Sequence, residues 1–341
     1  MSVTLKPLAE QAIVITGASS GIGLATALIA ARRGARVVLA ARNAEALERI
    51  AATIVKRGGQ AIAVPTDVAD HGAVLALRDA ALARFGRIDT WVNDAAAATY
   101  GKLANLSLAD HRQVFDAGYW GSVHGSLAAA ETMREHGGAI VNVGSILSER
   151  SILLQGPYCA MKHALRSFTE TLRMELEADG APISVTLIKP AAMNTPYPEH
   201  ARNITGQPAA LPPPLYDPRL SARAILFCAE HPRREMTVGG IGRAIALAAN
   251  LFPRLTDFGM EAAGMAAQHR ADPPAAGRND NLYDARADGA IEDSRPAAVR
   301  RTSLWLEAQM HPRLATAALS AVSAVAAIAI DAGVRSRGET V

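Results

Sequence analysis

The sequence predicts an α/β domain built on a doubly wound parallel sheet, and three observations carry that prediction. Short β-branched apolar runs alternate with Ala/Leu/Arg/Glu stretches of helical period. A glycine-rich turn joins the first such run to the first helical stretch. Half of the 341 residues are apolar, enough to bury a sizeable core.

Strands are expected at residues 12–16, 36–40, 61–65, 90–92, 139–143, 183–188 and 236–238, with helical periodicity between them, as at 44–56 and 73–85. Right-handed crossovers wind such a chain on both faces of the sheet and gather ligands at the carboxyl ends of the strands. Composition changes after Gly240, so residues 1–245 read as the main domain and 246–341 as an extension. Within the extension, 272–301 is rich in Pro, Asp, Arg, Gly and Asn and reads as a linker or mobile loop. The stretch 314–330 is uncharged, with Thr316, Ser320 and Ser323 as a polar stripe along one side of a helix. Its length is borderline for a membrane span of ~20 residues, and spanning stays as the alternative. It reads as a helix that docks on the protein, on a second subunit of a homo-oligomer, or peripherally on a membrane.

The net charge is +3 without a long Lys/Arg run, which gives nucleic-acid binding no support. The first eleven residues lack a signal-peptide core, which points to the cytoplasm, with membrane contact left to 314–330. Cys159 and Cys228 read as free thiols, and the nine scattered histidines give no metal-ligand spacing.

Gly17, Gly21 and Gly23 lie in the turn after the first strand, where glycine lets backbone N–H groups approach a phosphate at a helix N-terminus. The second strand ends in Ala40-Ala41-Arg42-Asn43, with no carboxylate for a ribose 2′-hydroxyl. Arg42 can instead pair with a 2′-phosphate, which favours NADP(H) over NAD(H). Its alternative is a solvated first-turn arginine. Tyr158 and Lys162 stand four residues apart and so share a helical face, where an ammonium favours the phenolate of a group with a usual pKa near ~10. Ser145, at the end of another apolar run, offers a donor for a substrate oxygen.

In this order, Thr16-Gly17-Ala18-Ser19-Ser20-Gly21-Ile22-Gly23, Ser145 and Tyr158-Cys159-Ala160-Met161-Lys162 resemble the short-chain dehydrogenase/reductase family from about residue 8 to 240. The resemblance implies a Rossmann-like fold and hydride transfer between a nicotinamide dinucleotide and an alcohol or carbonyl. It makes Ser145, Tyr158 and Lys162 catalytic. It also assigns cofactor contacts to Gly17, Ser19, Ser20, Gly21, Ile22, Gly23, Arg42, Asp67, Val68, Asn93, Tyr158, Lys162 and Thr195. In the family, Asp67 accepts from the adenine amino group, Thr195 contacts the nicotinamide carboxamide, and Lys162 holds the ribose. Asp67 and Thr195 also suit helix caps.

The chain departs from the family at Ala96 and Ala191, where glycine is usual, and at Gly118, where relatives carry an asparagine that positions a water beside the lysine. The space at Gly118 is expected to be polar and roomy enough for a water, so that Gly118→Asn would maintain or raise turnover. These departures motivate a competing reading, a cofactor-binding scaffold or redox sensor. Residues 146–155 and 197–216, with the tail as a further source, are expected to line an apolar substrate site, suited to a hydrophobic alcohol or ketone.

Overall fold

The computed structural model describes residues 3–270, 279–286, 289–295, 298–317 and 320. Its strands are β1 (Ala12–Thr16), β2 (Arg36–Ala41), β3 (Gln60–Pro65), β4 (Thr90–Asn93), β5 (Thr99–Tyr100), β6 (Gly138–Val143), β7 (Ile183–Pro190), β8 (Arg202–Asn203), β9 (Leu215–Tyr216), β10 (Glu235–Val238) and β11 (Val299–Arg300). Seven of them form one parallel sheet in the order β10-β7-β6-β4-β1-β2-β3, and each coincides with an expected strand to within two residues at either end. Thr16 pairs with Ala40 on one side and Asn93 on the other. The winding direction reverses between β1 and β4, which opens a crevice at their carboxyl ends.

The helices are α1 (Gly21–Arg32), α2 (Ala44–Lys56), α3 (His71–Phe85), α4 (Leu108–Phe115), α5 (Gly121–Met133), α6 (Gly156–Ala178), α7 (Tyr197–His200), α8 (Pro218–Glu230), α9 (Gly240–Leu251), α10 (Pro253–Ala263) and α11 (Leu304–Met310). Side chains alternate across a strand, and this splits the core in two. Ile13 and Ile15 join Ala27 of α1 and Ile225 of α8 in one layer. Ala12 and Val14 join Leu77 of α3, Ala129 of α5 and Leu172 of α6 in the other. The α2 and α3 starts are set by Asn43 and Asp70, whose side chains accept from Ala46 N and Gly72 N. Asp67 is thus not the cap of α3. Between α4 and α5 the chain makes one π-helical turn, Asp116–Trp120, with Gly118 at its centre.

The extension is built onto this frame. Helix α9 runs through residue 245, where a domain boundary was expected, because its apolar period begins at Gly240. Strand β11 pairs with β9, and α11 contacts both α8 and β10. Apart from β11, the described residues of 272–301 form no helix or strand, as expected of a linker, yet they are tied to the domain, and Leu282 is fully buried with Ala97, Val114 and Met161. Of the stretch 314–330, only 314–317 and 320 are described, and the rest of that expectation lies outside the described residues. Among the described residues, no helix is long and apolar enough to cross a membrane.

Candidate active site: a dinucleotide crevice and a Ser–Tyr–Lys group

The crevice between β1 and β4 opens into a cavity of about 650 Å³. Its floor is the turn after β1. Gly17 has φ 71°, and a Cβ there would sit 2.8 Å from Ala95 N. A Cβ on Gly23 would collide with the Gly17 carbonyl, so both positions require bare backbone. The N-terminus of α1 points at this cradle and brings the helix dipole with it. A pyrophosphate fits such a site, since a Cβ at either glycine would distort the turn that holds it.

Gly17, Ser19, Ser20, Gly21, Ile22, Arg42, Asp67, Val68 and Thr195 all line the cavity, as do Ser145, Tyr158 and Lys162. Gly23 lies beneath the cavity wall, where it lets the turn close. Asn93 is turned inward. Its amide donates to Asn142 Oδ1 at 2.8 Å and Ser126 Oγ at 3.0 Å, and its Oδ1 accepts from Trp91 Nε1 at 2.8 Å. The side chain joins three elements of the core and does not reach the cavity, which Asp94 lines in its stead. Asp67 Oδ1 accepts from Ala69 N at 3.0 Å. Thr195 Oγ1 accepts weakly from Tyr197 N at 3.4 Å, and the Thr195 methyl packs toward Gly21.

The reactive group sits at the inner end. Ser145 follows β6, where its hydroxyl accepts from Leu147 N at 3.1 Å while its own N–H donates to Ser148 Oγ. Tyr158 and Lys162 come from the first turns of α6, one above the other. Lys162 is buried, donates to the Val143 carbonyl at 2.7 Å, and places Nζ 5.5 Å from the Tyr158 ring centroid. Burial lowers its pKa to about 8, against the pull of Asp94. Burial likewise pushes the Tyr158 phenol well above its ordinary range, opposed by a hydrogen bond from Ser145 and reinforced by the Asp94 charge. A downward shift was expected from Lys162. The difference comes first from burial, which outweighs the Ser145 hydrogen bond, and the charges of Cys159 and Asp94 add to it.

Asp94 and the segment 281–286 carry no sequence signal of the kind used above, whereas Tyr197 falls in the stretch expected to line the substrate site. Asp94 accepts from the Gly23 N–H, and burial raises its pKa to about 7, with Lys162 opposing. Tyr197 packs edge-on against Tyr158, ring centroids 5.3 Å apart, and donates to Gln155 Oε1 at 2.7 Å. Asn281, Ala285 and Arg286, from the segment read as a linker, complete the outer wall. Among the described residues, no group of three or more His, Cys, Asp or Glu side chains gathers as a metal site.

The sequence pattern of the short chain dehydrogenase family matches residues 11–204, more than half of the chain. The chain belongs to the short-chain dehydrogenase/reductase family. This member is 42% identical over 326 residues to the uncharacterized oxidoreductase YxnA of Bacillus subtilis (strain 168), covering 95% of this chain and 92% of the relative. It is 32% identical over 209 residues to the putative oxidoreductase SadH of Mycobacterium tuberculosis, covering 61% and 76%. A short chain dehydrogenase/reductase from Burkholderia phymatum, solved in complex with NAD, matches with a TM-score of 0.66 at 29% identity over 72% of this chain and 94% of that one. An alcohol dehydrogenase from the archaeon Thermococcus sibiricus, complexed with 5-hydroxy-NADP, matches with a TM-score of 0.59 at 25% identity over 67% and 95%. The chain is therefore an oxidoreductase with a dinucleotide-binding Rossmann fold.

Proposed function

We propose that this short-chain dehydrogenase/reductase moves a hydride between NADP(H) and a hydrophobic alcohol or ketone, with Tyr158 as proton donor and acceptor. One observation carries the reading: Ser145, Tyr158 and Lys162 open into the same cavity as the glycine cradle and Arg42. The nicotinamide supplies or accepts the hydride at the substrate carbon. In reduction, the Tyr158 phenol gives its proton to the carbonyl oxygen, and in oxidation the phenolate takes it back. Ser145 donates a hydrogen bond to the same oxygen and fixes it beside the phenol. Lys162 keeps a positive charge beneath the ring and steadies the phenolate. The intact trio argues against the scaffold reading.

Two features refine the substrate and cofactor. Arg42 stands at the end of β2 where a 2′-phosphate would lie, and no carboxylate accompanies it there, which favours NADP(H). The two structural relatives hold NAD and 5-hydroxy-NADP, so the fold accommodates either class of dinucleotide. The inner cavity is walled by Ile146, Ile152, Leu211, Ile245 and Met260, which suits an apolar substrate. A panel of hydrophobic ketones and alcohols, followed by NADPH absorbance, tests the proposal. Turnover of apolar members with NADPH supports it, and tight NADPH binding without turnover across the panel moves the protein to the scaffold reading.

A further inference from the structure

The extension returns across the mouth of the dinucleotide crevice and touches three separate strand ends around it. At the end of β2, Arg42 donates to the carbonyls of Tyr283, at 2.8 Å, and of Asn281, while Asn43 Nδ2 donates to the Arg286 carbonyl at 2.9 Å. At the start of α1, the Gly21 N–H donates to the Ala290 carbonyl at 3.0 Å. After β7, Asn281 N–H donates to the His200 carbonyl at 2.8 Å, and Ser294 Oγ donates to Glu199 Oε1 at 2.5 Å. Leu282 anchors this path in the core.

Arg286 crosses the gap itself. Its backbone is held at Asn43, whereas its guanidinium donates to the Glu199 carbonyl and lies 3.5 Å from Glu199 Oε2 on the opposite rim. Between these two points it lines the cavity, as Gly21 and Ile22 at the start of α1 also do. A dinucleotide brings at least two phosphate charges to that spot. The helix end supplies only partial charges, and Lys162 is engaged at the inner end. A guanidinium has five donors in a fork matched to phosphate, so Glu199 leaves several of them for a ligand.

Resting on the dinucleotide reading above, we propose that the described strap residues 281–286 are part of the cofactor site, with Arg286 as its phosphate-binding cation and Glu199 as the residue that positions it. The strap holds the cofactor in place.

The test is NADPH fluorescence with the full chain, read as Kd and, by stopped-flow displacement, as koff. Arg286→Gln is expected to raise Kd about tenfold or more, the size of one lost charge-assisted hydrogen bond, and to flatten its dependence on salt. Leu282→Asp, which unseats the strap without touching a phosphate donor, is expected to raise koff by a similar factor while leaving that salt dependence in place. Glu199→Gln is expected to fall between wild type and Arg286→Gln. Wild-type Kd, koff and salt dependence in Arg286→Gln would overturn the strap alone, as would tighter binding in Leu282→Asp, which would mark the segment as a plug. Failure of the wild-type protein to bind NADPH or NADH would overturn the dinucleotide reading and the strap with it.

Discussion

Met161 occupies the space that a side chain at Gly118 would need: a Cβ built on Gly118 would sit 2.5 Å from Met161 Cε and 2.6 Å from its sulfur. The polar, water-sized space expected at this departure from the family is therefore filled by a thioether, which is fully buried. Gly121, in the next turn, meets Val68 in the same manner, with a built Cβ 2.5 Å from Val68 Cγ2. The π turn carries α4 and α5 close against α6 and the β3 loop, and a side chain at either glycine needs Met161 or Val68 to shift.

The sign of the Gly118→Asn prediction reverses accordingly. Asparagine has the better helix propensity, but overpacking a filled core position costs about 1–3 kcal/mol and outweighs that gain. Gly118→Asn is expected to lower Tm by several degrees and to lower kcat, because a displaced Met161 disturbs the adjoining Lys162. Adding Met161→Ala makes room and should restore part of both losses. Calorimetry and turnover on the wild type and the two variants check this, and a Gly118→Asn protein with wild-type Tm and higher kcat would contradict it.

The strands and the reactive trio were legible because each is written in local pattern. A parallel strand buried on both faces needs a continuous apolar run, and the i, i+4 placement of Tyr158 and Lys162 follows from helix geometry alone. What escaped detection depends on the path of the chain. The strap is held largely through main-chain carbonyls, which leave no trace in side-chain pattern, so a polar Pro/Asp/Arg segment was read as a linker. Asn93 matched a motif but turned inward, since Trp91, Ser126 and Asn142 offered it a complete set of buried partners. Nothing in the Tyr158–Lys162 spacing marks Met161 as the residue that α6 presses against the π turn.

Arg42 answers both to the cofactor and to the strap, so Arg42→Asp is expected to do two things. Exchanging the cation for a carboxylate should lower the NADPH/NADH ratio of kcat/KM by about tenfold or more, as a charge-assisted contact is lost and a repulsion gained. The carbonyls of Asn281 and Tyr283 also lose their donor, so KM for NADH should rise as well. Steady-state kinetics with both cofactors separates the effects. An unchanged ratio would remove Arg42 from the 2′ position, whatever happened to the strap.

Tyr158→Phe removes the proton and leaves the ring. Its edge-on contact with Tyr197 survives, so the inner wall should keep its shape. Turnover is expected to fall by about 10²–10⁴-fold, with the Kd for NADPH nearly unchanged. Wild-type turnover by this variant would place the proton donor elsewhere.

Asp94 gives the site a dependence on pH that the sequence did not foretell. Burial raises its pKa from 3.8 to about 7, partly offset by Lys162 and by the Gly23 N–H. A carboxyl whose folded pKa lies above its unfolded value keeps a proton that the unfolded chain has already released. Its contribution to stability is therefore largest below pH ~4, declines as pH rises toward 7, and stays low above that. Asp94→Asn keeps an acceptor for Gly23 and removes the charge. The Tm advantage of the variant over wild type should be near zero at pH 4 and grow to a plateau above pH 7. The same change takes an anion away from Lys162, whose pKa of about 8 should fall further. The ammonium is then lost at lower pH, and with it the support for the phenolate, so the alkaline limb of the pH–rate profile should move down in pH. Thermal unfolding between pH 4 and 9 reads the first effect and the pH–rate profile the second. A Tm difference that is flat across this range would mean that Asp94 titrates where an ordinary carboxylate does, and the burial argument for its place beside Lys162 would fail.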